Sequence, residues 1–166
     1  MSIEIIVACG KSADGQLIIG ANGKLPWNVP GELKHFRQKT IGHTVIMGRK
    51  TYESLPIKPL PQRNNIIFTR QVHYDAPGCE ITNQRMPILR AFRHSVEKCF
   101  IIGGAETYRS FYPWASVIHF SMIDGTHEGD TYFPFSQESL RQWTMIMTEA
   151  HDGWKEIIYG RVSTSQ

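Results

Sequence analysis

Apolar residues fall along the chain in short blocks separated by segments with helical spacing. The nearly continuous apolar runs, typical of strands buried on both faces, cover residues 3–9, 44–47, 65–69, 99–102 and 116–122. The intervening segments with helical spacing are residues 31–39, 49–54, 87–95 and 105–112. A further short strand is predicted at residues 80–82, and a closing antiparallel pair at residues 144–148 and 156–159.

This order of elements predicts the fold class. Strands that alternate with helices form a parallel sheet with helices on both faces. The strand-rich C-terminal part of the chain favours antiparallel pairing at one edge. We therefore expect an α/β fold formed by one domain, residues 1–166, with a central, mostly parallel mixed sheet, flanking helices and antiparallel C-terminal strands.

The composition narrows the classes of partner. The chain is 41% hydrophobic and 20% charged, and its net charge of +3 is too small to indicate nucleic-acid binding. No apolar run approaches the roughly 20 residues of a membrane span. The N-terminal segment carries Glu4 instead of the basic residues of a signal peptide. We expect a cytoplasmic protein without a membrane or nucleic-acid partner.

The cysteines and histidines predict neither a disulfide framework nor a metal site. Cys9, Cys79 and Cys99 are odd in number and widely spaced, which is untypical of a disulfide-stabilised fold. Cys9 and Cys99 lie in apolar runs and are expected to be buried. The seven histidines show no spacing typical of zinc ligands.

The most informative segment places one carboxylate, Glu32, at the start of a predicted helix. Pro30 suits the first helical turn, and Phe36 lies four residues after Glu32, on the same helical face. Residues 20–27, with glycines and the pair Pro26-Trp27, predict a loop able to cover a site. An acid, an aromatic wall and a covering loop suit a flat polar heterocycle. Alternatively, Glu32 merely complements the helix dipole.

Two segments of the form strand, glycine, helix predict a phosphate site. They are residues 45–51 and 100–108, and each offers free backbone N–H groups at a helix start. Neither is a Walker motif or a complete dinucleotide fingerprint, and glycine in such turns can also serve packing alone. Arg49, Lys50 and Arg70 would form a pocket for a 2′-phosphate if their strand ends are neighbours. A solvated basic rim is the alternative.

Longer motifs are spread over nearly the whole chain. They are Ile18-Ile19-Gly20, Leu25-Pro26-Trp27-Asn28-Val29-Pro30, Val45-Ile46-Met47-Gly48-Arg49-Lys50-Thr51-Tyr52-Glu53-Ser54, Pro59-Leu60-Pro61-Gln62-Arg63-Asn64-Asn65, Ile101-Ile102-Gly103-Gly104 with Tyr108, and Glu128-Gly129-Asp130-Thr131-Tyr132-Phe133-Pro134. In order and spacing, these motifs resemble those of the dihydrofolate reductase family. The resemblance implies NADPH-dependent reduction of 7,8-dihydrofolate to 5,6,7,8-tetrahydrofolate, by hydride transfer to C6 and protonation at N5.

The resemblance also implies roles for individual residues. Glu32 would bind the pterin 2-amino group and N3, the Ser121 hydroxyl would support that carboxylate, and Trp27 would contact an ordered water. Arg63 would hold the α-carboxylate of the glutamate tail of the substrate. The substrate-binding residues implied are Val7, Ala8, Leu33, Phe36, Arg63, Ile102 and Tyr108. Antifolates such as methotrexate are implied ligands, and a monomer is the implied state.

For the cofactor NADPH, the resemblance implies contacts from both glycine turns and from the covering loop. Ala8 and Ile19 would contact the nicotinamide amide, and the bond Gly103–Gly104 would be cis. The cofactor-binding residues implied are Ala8, Ile19, Gly20, Asn22, Gly48, Arg49, Lys50, Thr51, Thr69, Arg70, Gly103, Gly104, Ala105 and Thr107.

Some positions depart from the commonest bacterial pattern of the family. Glu32 replaces an aspartate, and Glu106 stands where many members carry a basic residue near the adenosine.

Two other functions are disfavoured by the residues present. A reductase of the riboflavin pathway is disfavoured by the Pro26-Trp27 loop and Glu32. A nucleotide-binding module without chemistry is disfavoured by the joint presence of Trp27, Glu32, Arg63 and Ser121.

Overall fold

The computed structural model describes residues 2–161, except the side chain of Gln137, so residue 1 and residues 162–166 of the predicted domain lie outside the described part. The strands are β1 (Ile3–Lys11), β2 (Leu17–Gly20), β3 (Thr44–Met47), β4 (Asn64–Phe68), β5 (Cys79–Thr82), β6 (Cys99–Gly103), β7 (Val117–Thr126), β8 (Thr131–Tyr132), β9 (Trp143–His151) and β10 (Trp154–Arg161). The α-helices are α1 (Pro30–Thr40), α2 (Arg49–Ser54), α3 (Arg85–Ala91) and α4 (Ala105–Phe111). Short 3₁₀ helices cover Tyr112–Trp114 and Gln137–Gln142.

All these strands belong to one mixed sheet, which confirms the expected fold class. The main order is β5-β4-β3-β6-β1-β7-β10-β9, with β2 paired to β1 and β8 paired to β2. Pairing is parallel from β5 to β7 and antiparallel from β7 through β10 to β9. The pairs β1–β2 and β2–β8 are also antiparallel.

Two short strands were not predicted from the apolar pattern. β2 and β8 are four and two residues long, and they exist through their pairing with β1 and with each other. The C-terminal hairpin is also longer than predicted, because pairing continues through exposed residues of β9 to His151. Strand pairing thus extends the sheet beyond the residues whose apolarity reveals it.

Alternating side chains on the strands form a core on each side of the sheet. On β1, Ile3 and Ile5 join a cluster that includes residues of α3 and α4. Ile6, between successive members of that cluster, points to the opposite face and packs with Tyr52 of α2 and Phe36 of α1. Helices therefore cover both faces, as expected for strands with continuous apolar runs.

The positions of the two predicted core cysteines agree with the sequence analysis. Cys9 and Cys99 are both fully buried. Burial in apolar surroundings raises the pKa of both thiols well above their usual range. These cysteines are therefore inert packing residues of the sheet. Among residues 2–161, no helix is long and apolar enough to cross a membrane.

A buried asparagine fixes the loop that leads into β4. Asn65 is 1% exposed, and its side-chain oxygen accepts a hydrogen bond from the Leu60 N–H at 2.9 Å. Its amide nitrogen donates to the carbonyls of Leu60 at 3.0 Å and Arg63 at 2.9 Å. These bonds satisfy buried backbone groups that have no strand partner.

We predict that Asn65→Ala lowers the free energy of unfolding by about 2–4 kcal/mol, because it leaves buried backbone groups of the loop unpaired. Urea unfolding followed by tryptophan fluorescence measures the change. Asn64→Ala, at the exposed neighbouring position, is the matched control and should cost less than about 0.5 kcal/mol. Equal losses in the two variants would contradict the role given to the Asn65 side chain.

Candidate active site

Glu32 lies in the first turn of α1 and faces the sheet. The helix follows an extended N-cap residue, Val29, with Pro30 at its first position, as the sequence predicted. Glu32 is 5% exposed, and the hydroxyl of Ser121 on β7 donates a hydrogen bond to its carboxylate. The predicted pair Glu32 and Ser121 is thus brought together across the interface between α1 and the sheet.

Burial and the hydrogen bond act on the acidity of Glu32 in opposite directions. Burial disfavours the charged form and raises the pKa of Glu32, while the bond from Ser121 lowers it. Burial is the larger effect, so the pKa of Glu32 lies above its usual value. A carboxyl group in this position keeps its proton to a higher pH than an exposed one.

Apolar side chains form a wall beside this carboxylate. Phe36 and Ile102 pack against the same cluster as Ile6. Ala8 pairs in register with Ser121, so both side chains point toward α1. Leu33 is half exposed and lies at the open side of the site. This arrangement places an apolar wall beside the carboxylate of Glu32.

Val7 and Tyr108 reach this region differently from their neighbours. The side chain of Val7 packs in the core cluster on the opposite face of the sheet, so its backbone alone borders the site. Tyr108 is buried, and its hydroxyl donates to the carbonyl of Ile6 at 2.9 Å. The side chain of Ile6, which was not predicted as a site residue, packs in the cluster of Phe36 and Ile102 and so belongs to the wall. Its place on β1 between Glu4 and Ala8 puts it on that face.

Trp27 brings a buried donor to the edge of the site. Its indole Nε1 is buried and has no hydrogen-bond partner among the described residues. Its ring contacts the edge of His127, with ring centroids 5.2 Å apart. Because a buried N–H without an acceptor is costly, this group fits a ligand or water oxygen in the site.

The predicted covering loop is attached to the segment between β7 and β8. The backbone N–H of Asn22 donates to Oδ2 of Asp130 at 3.1 Å, and Gly20 pairs with Thr131. The bonds from Asn22 and from the Thr131 hydroxyl lower the pKa of Asp130. Ile19 and Gly20 lie on β2, so they are held beside β1. Sequence reasoning missed Asp130, although its position in the Gly-Asp-Thr motif was a usable signal.

The two glycine turns lie side by side because β3 and β6 are paired at Met47 and Gly103. The N–H of Gly48 donates to the carbonyl of Gly103 at 2.8 Å. A Cβ on Gly48 would lie 3.0 Å from Oγ1 of Thr107, so a larger residue would fill this cradle. The bond Gly103–Gly104 is cis, as the resemblance implied. The cradle fits a ligand that approaches the backbone closely.

Hydroxyl groups and helix starts complete this cradle. A Cβ atom added to either Gly103 or Gly104 would lie 3.5 Å from Oγ1 of Thr51. Ala105 is the first residue of α4 and Arg49 the first residue of α2, so both helices begin at the cradle. Their free N–H groups suit an anionic ligand.

The basic residues lie at neighbouring strand ends, as the phosphate hypothesis required. β3 pairs with β4, so Arg49 after β3 and Thr69-Arg70 after β4 follow adjacent strands. Arg49 forms an ion pair with Glu53 at 2.8 Å, while Lys50 is exposed. Glu106 pairs with Arg109 at 3.1 Å and is 87% exposed.

Two arginines lie near the C-terminal end of α1. Arg63 donates to Oγ1 of Thr40 at 3.1 Å and to the carbonyl of Pro61 at 2.9 Å. Burial and then the charge of Arg37 lower the pKa of Arg63. Two adjacent guanidinium groups suit a carboxylate ligand. Arg37 was missed as a site residue, although its place in the last turn of α1 was visible.

Comparisons with known proteins agree with this geometry. The family model described as "Dihydrofolate reductase" matches residues 2–161. The dihydrofolate reductase of Neisseria gonorrhoeae is 41% identical over 134 residues, which cover 81% of this chain and 80% of that protein. The dihydrofolate reductase of Bacillus subtilis is 37% identical over 136 residues, covering 82% and 79% of the two chains. A solved structure of dihydrofolate reductase from Enterococcus faecalis, complexed with NADP(H) and RAB-propyl, superposes with a TM-score of 0.79 at 31% identity and covers 96% of this chain and 95% of that one.

We predict that Glu32→Gln raises Tm at neutral and alkaline pH. Because the pKa of Glu32 is raised on folding, ionised Glu32 destabilises the folded state, increasingly as the pH rises above the ordinary value of 4.5. Tm should rise by roughly 2–4 °C for each kcal/mol relieved, and the gain should vanish in acid. Calorimetry across pH measures it, with the exposed position Glu106→Gln as control. A gain in Tm that persists below pH 4.5 would contradict the raised pKa assigned to Glu32.

Proposed function

The chain belongs to the dihydrofolate reductase family, and from this membership we propose how its residues perform the reduction of 7,8-dihydrofolate to 5,6,7,8-tetrahydrofolate. This NADPH-dependent reaction is the general function of the family, so the protein is an oxidoreductase. The observation that carries the proposal is the buried carboxylate of Glu32, bonded to Ser121 and facing an apolar wall. Such a site suits a polar heterocycle whose edge needs a charged partner.

Glu32 is the acid–base group of the proposed mechanism. Its carboxylate accepts hydrogen bonds from the 2-amino group and N3 of the pterin, and Ser121 holds it in place. The negative charge makes the bound ring more basic and thereby favours protonation at N5. Because N5 lies across the ring from Glu32, the proton arrives through water, which the Trp27 N–H orients. General acid assistance of this kind typically contributes about 10²–10⁴ in rate.

The remaining substrate residues orient the ring and the tail. Ala8, Phe36 and Ile102 form the wall of the ring pocket, and Leu33 covers its open side, with Val7 and Tyr108 contributing behind them. Arg63, beside Arg37, binds the α-carboxylate of the glutamate tail. When these residues hold the ring, the free energy of binding is used to orient the reacting atoms.

The glycine cradle fits NADPH, which supplies the hydride for C6 when bound. Gly48, Gly103, Gly104, Ala105 and Thr107 let the cofactor backbone approach closely. Arg49, Lys50 and Thr51 would hold its phosphates, and Thr69 and Arg70 would hold its adenosine. Ala8, Ile19, Gly20 and Asn22 would hold the nicotinamide, and the covering loop would exclude water from the site.

We further propose that residues 1–166 act as one domain, as a monomer, in the cytoplasm, and that antifolates such as methotrexate occupy the pterin pocket. The direct test follows the loss of NADPH absorbance with 7,8-dihydrofolate, with and without methotrexate. Turnover that methotrexate inhibits is the expected result. NADPH binding without turnover would instead support a nucleotide-binding module without chemistry.

We predict that Glu32→Gln lowers the hydride-transfer rate by about 10²–10⁴ near neutral pH, with partial recovery in acid, where the substrate is already protonated. Single-turnover kinetics across pH measure this rate. Glu32→Asp retains a carboxylate and serves as the matched control, with a loss of less than about tenfold. A loss that does not vary with pH would contradict the protonation role.

We predict that Arg49→Ala weakens NADPH binding about 10- to 100-fold and NADH binding far less, because the guanidinium binds the 2′-phosphate that NADH lacks. Fluorescence titration with each cofactor measures both affinities. Arg109→Ala removes an exposed arginine that is likewise paired with a glutamate on its own helix, and it should affect neither. Equal losses for the two cofactors would place Arg49 away from the 2′-phosphate.

A further inference from the structure

A second set of buried ionisable side chains lies between α1 and the sheet, beyond Glu32. Glu4 on β1, His119 on β7 and Glu156 on β10 come from three adjacent strands and are 4%, 8% and 4% exposed. His35 and Lys39 of α1 face them. Such groups are costly to bury unless they are paired, so their arrangement needs a physical reason.

Hydrogen bonds join these groups into one network. The Lys39 ammonium donates to Oε2 of Glu156 at 3.0 Å and to Nδ1 of His119 at 2.9 Å. Since Nδ1 of His119 accepts, its ring proton is on Nε2, which donates to Oε1 of Glu4 at 2.7 Å. Nζ of Lys98 lies 3.2 Å from Oε2 of Glu4. Two ammonium groups thus balance two carboxylates through a neutral imidazole.

Glu156 is the member that receives two donors from α1. His35 and Lys39, one helical turn apart, both bond to its Oε2. Burial alone would raise the pKa of Glu156, but the hydrogen bonds from Lys39 and His35, together with the charge of Lys39, hold it below its usual value. Burial, the largest effect, lowers the pKa of His35, so its ring donates to Glu156 as a neutral group near pH 7.

The register of the sheet places Glu156 beside the site. Glu156 stands directly opposite Ser121 in the antiparallel pair β7–β10, so both side chains point toward α1. On the helix, Glu32 precedes His35 by three residues, so both lie on one face. Ser121 therefore contacts the first turn of α1, and Glu156 contacts the following turns.

We infer that Glu156 is a positioning residue for the reduction: by binding His35 and Lys39 it sets where α1 places the Glu32 carboxylate against Ser121 and the pterin. The inference rests on the proposed role of Glu32. Removing one partner of a buried ionic pair leaves an uncompensated charge, which α1 must move to relieve. A displacement of about 1 Å at a reacting group can cost about 100-fold in rate.

The test is a double-mutant cycle on the hydride-transfer rate in single turnover. Glu156→Gln should lower the rate about tenfold at neutral pH and less in acid, as expected for a displaced Glu32. In the Glu32→Gln background, the same change should have no further effect. Glu156→Asp should restore part of the loss, and NADPH affinity should stay unchanged. The ionisable groups facing Glu156 are His35 and Lys39 of α1, His119 of β7 and Glu149 of β9, with His151 beside His35 and Glu149.

Glu149→Gln is the matched control. Glu149 stands directly opposite Glu156 on β9 but is 61% exposed and pairs with His151 instead of α1. It should leave the rate and its pH profile unchanged. Equal losses from Glu156→Gln in both backgrounds would show a general structural role and overturn the inference alone. Full activity of Glu32→Gln at neutral pH would overturn the proposed role of Glu32 and the inference with it.

A milder variant keeps the test decisive if Glu156→Gln does not fold. His35→Leu removes one donor of Glu156 and retains the pair with Lys39, and His35 is 21% exposed. We expect a loss of about threefold with the same recovery in acid and no effect in the Glu32→Gln background. An unchanged neutral-pH rate in this variant would overturn the inference.

Discussion

The burial of the Glu32 carboxylate between α1 and the sheet is the constraint on which the α1 side of the site depends. A buried carboxylate destabilises the fold unless hydrogen bonds support it, and here Ser121 supplies that support from β7. The same burial raises the pKa of Glu32 and places its charge where a polar heterocycle would meet it. Stability is therefore lost at this position when the carboxylate is ionised.

The two faces of the sheet differ in the polarity of the side chains that they bury. On the face toward α3 and α4, β1 contributes apolar side chains such as Ile3 and Ile5, which pack without polar partners. On the face toward α1, the same strand contributes Glu4, which belongs to a charge-balanced network with His119 and the lysines. Polar groups are thus concentrated under the helix that carries Glu32, where they restrict its position more than apolar contacts would.

The glycine cradle depends on a different constraint, the parallel pairing of β3 with β6. This pairing brings Gly48 and Gly103 within hydrogen-bond distance and starts α2 and α4 at one edge of the sheet. Because two helix starts and two glycine turns meet there, an extended anionic ligand can contact both. The apolar wall beside Glu32 and the glycine cradle share β6, since Ile102 borders the first and Gly103 the second.

The sequence alone determined the local features: the apolar strands, the start of α1 at Pro30, the placement of Glu32 in its first turn, and the two glycine turns. These follow from side-chain periodicity and backbone preferences, which act over a few residues. Its longer motifs also carried the resemblance to the dihydrofolate reductase family.

The tertiary structure alone decided which distant residues meet. β2 and β8 form through pairing, Asp130 meets Asn22 across more than a hundred residues, and Glu156 lies opposite Ser121 through the sheet register. Such contacts depend on strand order and register, which no local pattern encodes. The acidity of Glu32 likewise reflects burial by the whole fold, because desolvation is a property of the surroundings and not of the residue.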